Sequence, residues 1–229
     1  MNLTTVLGGA ACGLALGLVS ASASLTTTIS SGTINTTVPD GNSDGITSML
    51  NVSGLGNILS SGDNVSVTLN ISGGNNGDLV AYLIFGSHTV TLLNRPGLAG
   101  DPSGLGYMDP GYNNVTLSDG SYANINSYGG SGGAQVSTGT YNPSGGSTTF
   151  QSYNGLNSDG SWVLFISDLS GGDGANVSVL NNWSLTITTV PEKENEALAF
   201  FGIIVIGGIA VRRWIVSRKN ALRSESAGS

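Results

Sequence analysis

The chain has 229 residues, of which 39% are hydrophobic and 9% are charged. Before Val190 it carries one arginine and ten aspartates, so this stretch has a net charge of −9 and is poorly suited to binding nucleic acid or anionic lipid. The only cysteine, Cys12, has no partner for a disulfide, which leaves packing, hydrogen bonds and metal ions as sources of stability.

Residues 1–23 have the pattern of a signal peptide. An apolar stretch from Val6 to Val19 precedes small residues at the two cleavage positions, Ala21 and Ala23. The segment before the apolar stretch lacks Lys and Arg, so its positive charge must come from the α-amino group. Cleavage near Ala23 is predicted. Lipidation at Cys12 is the alternative, but the preceding residues lack the leucine that a lipobox prefers.

The next part of the chain is predicted to fold into strands. Residues 24–38 are rich in Ser and Thr and are expected to be a leader, and residues 39–190 are expected to form one domain. Apolar and polar residues alternate, fully or in part, in Val65–Ile71, Trp162–Ile166 and Trp183–Ile187. A period of two indicates strands with one buried face.

A continuously apolar run, Leu79 to Phe85, is typical of a strand at the centre of a sandwich. His88 to Leu93 is expected to return beside it after a turn at Gly86-Ser87. No sustained helical period occurs between residues 24 and 190. Many short strands with frequent turn signals predict an all-β sandwich or jelly roll.

Residues 94–149 are rich in Gly, Ser, Asn and Tyr and are expected to form long loops over the sandwich. Their tyrosines either stack on carbohydrate or anchor the loops: Tyr107, Tyr112, Tyr122, Tyr128 and Tyr141. Trp162 and Trp183, by contrast, lie in alternating strands and are expected in the core.

Asp40, Asn42 and Asp44 form the first half of a D-x-N-x-D-G calcium loop, in which oxygen ligands recur at every second residue. Asn51 stands where such a loop carries its bidentate Glu, and no helix is expected on either side, so the segment is not an EF-hand. The other interpretation is an Asx-rich turn that leads into a strand.

Three further aspartates, Asp78, Asp168 and Asp173, lie at predicted strand ends or turns. Carboxylates that converge at the edge of a sandwich can hold calcium. The alternative is that each caps a turn.

The sequence offers little for catalysis. His88 is the sole histidine, so a His-rich zinc site is excluded and a Ser/His/Asp triad would have to use it. A G-x-S-x-G match at Gly129–Gly133 lies in a low-complexity loop rather than at a strand-to-helix turn, and we interpret it as chance. No catalytic residue is predicted.

The C-terminal part, residues 191–229, has the pattern of a sorting signal. Val190, Pro191 and Glu192 precede an apolar run from Ala197 to Val211. As a helix that run covers roughly 22 Å, short of the ~30 Å of a bilayer core, but the apolar surface continues past Arg212 and Arg213. A single transmembrane helix is predicted at about 197–216, with its basic end in the cytoplasm.

Three blocks occur in an order and spacing that are typical of one family. They are Pro39-Asp40 with Gly45-Ile46 and Leu50–Gly54; Val65–Ile71 with Gly77–Leu79 and Leu93–Gly97; and Tyr153–Gly155, Asp159–Leu164, Asp168, Gly171, Asp173 and Trp183–Leu185. They resemble the P domain, or Homo B domain, that follows the catalytic domain of subtilisin-like proprotein convertases. The resemblance covers residues 39–188 and implies a jelly-roll β-sandwich of the galactose-binding-like kind.

The convertase P domain stabilises its catalytic neighbour and performs no chemistry, and we expect no subtilisin-like domain before this copy. The resemblance therefore implies adhesion, binding or scaffolding, with calcium as the one implied cofactor. Two alternatives are an accessory module for a separately encoded subtilisin-like serine endopeptidase and a carbohydrate-binding lectin.

The tail resembles the PEP-CTERM sorting signal, which an exosortase processes in bacteria that make extracellular polysaccharide. Val190, Pro191 and Glu192 match the motif, as do the apolar span and the arginines, whereas Lys193 replaces the second proline. The resemblance implies export, an exosortase-type partner, and either a membrane anchor or release into a polysaccharide matrix after C-terminal processing.

Overall fold

Eleven strands and three short 3-10 helices make up the described part of the chain. The computed structural model describes residues 24–60, 64–190 and Arg212. The strands are β1 Leu25–Ser30, β2 Thr36–Thr37, β3 Asn42–Val52, β4 Asn57–Ile58, β5 Val65–Ser72, β6 Leu79–Phe85, β7 His88–Asn94, β8 Gly111–Ser118, β9 Gly139–Tyr141, β10 Gly160–Asp168 and β11 Val179–Val190. The 3-10 helices are Asn76–Asp78, Ile125–Ser127 and Phe150–Tyr153.

The strands form two sheets. Sheet A has the order β1-β11-β5-β8-β9, with β2 and β4 also paired to β11, and sheet B has the order β3-β10-β6-β7. Neighbouring strands are antiparallel except for β8 and β9, which are parallel. Buried side chains from both sheets belong to one hydrophobic cluster. The described residues from 24 to 190 thus form a two-sheet, all-β sandwich.

The two predicted core tryptophans lie in opposite sheets and are both fully buried. Trp162 stacks on Phe85 with ring centroids 4.1 Å apart, and its Nε1 donates to the Ser158 carbonyl at 2.9 Å. Trp183 in sheet A donates from Nε1 to Ser48 Oγ in sheet B at 2.8 Å. Both indole N–H groups are therefore satisfied without leaving the core.

The strands predicted from alternation are confirmed. Val65–Ile71 lies within β5, and the segments that begin at Trp162 and Trp183 lie within β10 and β11. The predicted return of the chain after Gly86-Ser87 is also confirmed, because β6 and β7 pair in antiparallel register.

Two segments differ from their predictions. Residues 24–38 are not a simple leader, because β1 pairs with β11 along six residues and β2 pairs with the first two residues of β11. Residues 94–149 are not loops throughout, because β8 lies inside sheet A between β5 and β9 and buries Val115 and Leu117. Both segments extend sheet A.

Among the described residues, no helix is long and apolar enough to cross a membrane. The predicted span at 197–216 lies outside them except for Arg212, which is helical and exposed. The predicted signal peptide, residues 1–23, also lies outside the described residues.

Candidate cation site formed by four aspartates

Strand register brings three aspartates to one end of sheet B. Asp168, the last residue of β10, pairs with Asn42 of β3 on one side and with Leu79 of β6 on the other. Because β3 and β6 run antiparallel to β10, the residues just before them lie beside its end. Asp40 and Asp78 occupy those positions.

The loop between β10 and β11 adds Asp173. Asn75 holds this residue by donating from Nδ2 to Asp173 Oδ1 at 2.5 Å, and the same Nδ2 lies 3.4 Å from Asp78 Oδ2. Gly172 N–H donates to Asp40 Oδ2 at 3.1 Å, which fixes the loop against the turn before β3. Asp40, Asp78, Asp168 and Asp173 together are called the four-aspartate site below.

Gly41 permits the close approach of these two segments. Its φ is +61°, and a Cβ atom there would lie 3.0 Å from the Cα of Gly171. A side chain at position 41 would meet both a backbone clash and a left-handed conformation that only glycine adopts at low cost.

Each of the four carboxylates has one satisfied oxygen and one free oxygen. Hydrogen bonds reach Asp40 Oδ2, Asp78 Oδ2, Asp168 Oδ1 and Asp173 Oδ1. The other oxygen of each residue is buried and has no hydrogen-bond partner among the described residues. Because buried polar atoms are normally paired, the unbonded oxygens of Asp40, Asp168 and Asp173 suit a cation, whereas Asp78 Oδ1 faces Arg95.

Three of the four carboxylates lie close enough to share an ion. One carboxylate oxygen each from Asp40, Asp168 and Asp173 lies within 4.8 Å of the other two. Ligands at about 2.4 Å from a common centre can be up to about twice that distance apart, so the spacing suits calcium. The group contains neither cysteine nor histidine, and its oxygen donors favour a hard divalent cation over zinc or copper.

Burial and mutual repulsion disfavour the charged forms of these aspartates. Burial, followed by the charges of Asp173, Asp78 and Asp40, raises the pKa of Asp168 to about 6. The pKa values of Asp78 and Asp173 are raised as well, first by burial and then by neighbouring charges. Without a cation the site therefore destabilises the folded chain near neutral pH.

Arg95 offsets this repulsion only in part. Its Nη2 lies 3.7 Å from Asp78 Oδ1, and its Nε donates to the Gly77 carbonyl at 3.0 Å. It is the only basic residue before Val190 in the sequence. One guanidinium at the margin leaves most of the negative charge of four carboxylates uncompensated.

The remaining candidate calcium ligands, Asn42 and Asp44, do not belong to this group. Both are exposed, and Asp44 N–H donates to Asn42 Oδ1 at 2.8 Å, as in an Asx turn. In the sequence, Asp40 was assigned to the D-x-N-x-D-G loop, and Asp168 and Asp173 were assigned to a separate set of candidate ligands. The structure brings these three aspartates together.

Sequence reasoning missed a second buried carboxylate, Asp109. Its Oδ2 accepts from the Tyr128 hydroxyl and from Ser131 N–H, each at 2.7 Å, and its Oδ1 accepts from Gly133 N–H at 2.9 Å. The G-x-S-x-G match thus supplies two backbone donors to Asp109. No signal in the sequence links this loop to Asp109, about 20 residues earlier, because loops lack a period.

The loop tyrosines are mostly packed. Tyr112 is fully buried in β8, and the ring centroids of Tyr107 and Tyr141 lie 4.4 and 6.3 Å from that of Tyr128. Only Tyr122 of these five is exposed, at 43%. These contacts favour loop anchoring over a sugar platform.

His88 begins β7, with its ring centroid 6.2 Å from that of Tyr153. Among the described residues its ring has no hydrogen bond to a serine or an aspartate. Of the predicted sorting and cleavage residues, Val190 ends β11 and Arg212 is exposed; Pro191, Glu192, Arg213, Ala21 and Ala23 lie outside the described residues.

Comparisons with known proteins assign no family to the chain. No family model matches it, and no curated protein matches it. The crystal structure of Aeromonas sobria serine protease in complex with its chaperone matches 74% of this chain with a TM-score of 0.46 and 13% identity. The crystal structure of the Aeromonas sobria serine protease matches 73% with a TM-score of 0.42 and 11% identity. In each case the match spans 27% of the other chain, and at these TM-scores neither likeness carries an argument about function.

Proposed function

We propose that residues 24–190 form a calcium-stabilised, non-catalytic binding and structural module of an exported protein. The observation that carries the proposal is the four-aspartate site, in which every carboxylate keeps one buried oxygen free of hydrogen bonds. A bound divalent cation would satisfy these oxygens and cancel much of the repulsion between the aspartates.

The absence of disulfides in this part of the sequence gives such a cation a physical role. A ligand that binds only the folded state adds stability in proportion to the logarithm of its concentration over its Kd. The site would join β3, β6, β10 and the loop after β10, which are separate segments of the chain. Binding would therefore resist separation of the strands at that end of sheet B.

The finer assignments rest on the sequence. We propose a jelly-roll arrangement of the P-domain type, supported by the family-like blocks. We also propose export, with sorting by an exosortase and a membrane helix at about 197–216, supported by the Val190-Pro191-Glu192 motif, the apolar run and the basic end. Extracellular polysaccharide is the surrounding matrix that this signal implies.

A second candidate is an accessory role beside a separately encoded subtilisin-like protease. The third family-like block supports it, because that block is the most specific part of the resemblance to the convertase P domain. The lectin alternative loses its main support, because four of the five tyrosines that were to contact sugar are packed against each other or buried.

Thermal unfolding of the purified full chain with calcium or with EGTA tests the calcium proposal. Calcium should raise the Tm of wild type by several degrees. The control variant Asp44→Asn should show the same rise, because Asp44 is exposed and lies outside the site. Equal Tm values for wild type in the two buffers would reject a calcium-stabilised module.

A further inference from the structure

A pocket opens directly beside the four-aspartate site. Its volume is about 120 Å³, and it is lined by Asn75, Asp78, Leu105, Met108, Ser170, Gly171, Gly172 and Asp173. Pockets that bind whole small molecules are usually about 300–1,000 Å³. This pocket is smaller and suits a single group presented by a larger partner.

The pocket faces one side of the proposed cation position. Asp173 belongs to the group of three aspartates that could share an ion, and both Asp173 and Asp78 line the pocket. The three aspartates of that group supply three ligands if each gives one oxygen, and calcium takes about 6–8. Because Asp173 lines the pocket, a group seated there lies beside the coordination positions that remain.

Two exposed apolar side chains also line the pocket. Leu105 is 47% exposed and Met108 is 64% exposed, among the most exposed large apolar residues that the structure describes. Large side chains of this type lose contact with water when a partner docks, and methionine adapts its shape to the partner.

The segment that carries these side chains is held in place. Asp101 accepts hydrogen bonds from the N–H groups of Leu105 at 3.0 Å and Gly106 at 2.8 Å. Gly77 N–H donates to the Tyr107 carbonyl at 2.7 Å, which fixes the segment against the 3-10 helix that ends in Asp78. A wall fixed before binding reduces the ordering cost of association.

The net charge of the site and the residues that line the pocket limit the chemical class of the ligand. Four carboxylates, one guanidinium and a divalent cation leave the site with net negative charge, so a neutral oxygen donor is preferred over a carboxylate. None of the residues that line the pocket is aromatic, so a sugar ring has no flat surface to stack on. Leu105 and Met108 instead suit an aliphatic side chain.

We propose that this pocket is a calcium-dependent docking site for a protein segment that presents a main-chain or amide carbonyl to the cation and an aliphatic side chain to Leu105 and Met108. The inference rests on the calcium site proposed above and adds the chemistry of its partner.

Two measurements on the full chain test it. First, Eu³⁺ replaces calcium, and luminescence decay in H₂O and D₂O counts the waters bound to the ion; at least one is expected, and none would overturn an open coordination position. Second, a phage-displayed random peptide library is panned on the calcium-loaded chain and eluted with EGTA. Clones that share an aliphatic residue should bind only with calcium.

The double variant Leu105→Ser/Met108→Ser should bind those clones at least tenfold more weakly and keep the wild-type rise of Tm with calcium. Met49→Ser, which changes an apolar residue 57% exposed on β3 and outside the pocket, should bind like wild type. Failure to recover EGTA-eluted clones, or clones that bind the double variant equally, would overturn the proposal. So would glycan-array binding that the double variant loses, since the partner would then be carbohydrate. A missing calcium effect on Tm would instead reject the cation site itself.

Discussion

Asp109 and Asp168 are both buried aspartates, at 3% and 0% exposure, yet their surroundings shift their pKa values in opposite directions. Burial alone would raise the pKa of Asp109, but hydrogen bonds from Gly133, Tyr128 and Ser131 outweigh it and hold that pKa below its usual value. Asp168 receives a hydrogen bond only from Ser170 N–H, and burial and three nearby aspartates raise its pKa to about 6.

The comparison shows that burial does not by itself indicate the role of a carboxylate. The chain satisfies the charge of Asp109 with its own donors, so this residue can hold the 129–133 loop without an ion. The chain surrounds Asp168 with like charges and leaves one of its oxygens without a hydrogen bond, so the ionised form of Asp168 is unfavourable there without a cation.

The largest effect is expected for Asp168→Asn. Loss of the central ligand should weaken calcium binding by about 100-fold or more, roughly 2.7 kcal/mol, and should abolish the rise of Tm with calcium. In EGTA the variant should be more stable than wild type, because one repelling charge is gone. Calorimetric titration and thermal unfolding measure both effects. A variant with the wild-type calcium response would exclude Asp168 as a ligand.

Asp109→Asn should destabilise the chain by about 1–3 kcal/mol, because an amide in place of the carboxylate leaves at least one buried donor without an acceptor. Unlike the change at Asp168, this loss should be the same with calcium and with EGTA. Urea unfolding in the two buffers checks it, with Asp44→Asn as the control. A calcium-dependent loss would mean that the two sites are coupled.

A smaller, pH-dependent effect should separate the two aspartates in EGTA. The folded pKa of Asp168 lies above its unfolded value of 3.8, so wild type should lose stability relative to Asp168→Asn as pH rises from about 4 to about 6. The folded pKa of Asp109 is lowered, so its contribution should be lost as pH falls below about 4. Tm measured against pH for wild type, Asp168→Asn and Asp109→Asn gives the pH dependence that each aspartate causes. Parallel curves for the three proteins would contradict the opposite pKa shifts of Asp168 and Asp109.

The smallest effect is expected from the turn that carries Asp40. Gly41→Ala should cost about 1–2 kcal/mol for the left-handed backbone, and the clash with Gly171 should add to that cost and weaken calcium binding. Gly32→Ala is a matched control, because Gly32 has a φ of +65° and open space around it. Equal losses of stability and unchanged calcium affinity would show that the approach of the two segments is not needed.

Much of the fold could be predicted because buried strands of the sandwich alternate in the sequence. β1 was missed because it is an edge strand with mostly exposed threonines, so no apolar face marks it. β8 was missed because Asn114, at a φ of +51°, lies beside an irregularity in the pairing with β5, which interrupts the alternation.

The aspartates of the site were also visible in the sequence, but their grouping was not. Asp40 and Asp168 are 128 positions apart in the chain and meet only through the antiparallel register of β3 and β10. The sequence does not show which strands pair with each other, so this register could not be predicted from it. No sequence pattern marked Asp109, because its donors are two loop backbone N–H groups and the Tyr128 hydroxyl.

The pairing of β1 with β11 brings the start of the first strand and the end of the last strand to the same end of the sandwich. Leu25 lies opposite Thr189, so the chain enters and leaves the domain side by side at one end. The four-aspartate site lies close to the start of β11, where Val38 N–H bonds the Ser178 carbonyl and Asn75 holds Asp173. Twelve residues of extended strand separate the two ends by roughly 35–40 Å. A partner seated in the pocket would therefore lie at the end of the domain opposite to the one where Leu25 and Thr189 pair.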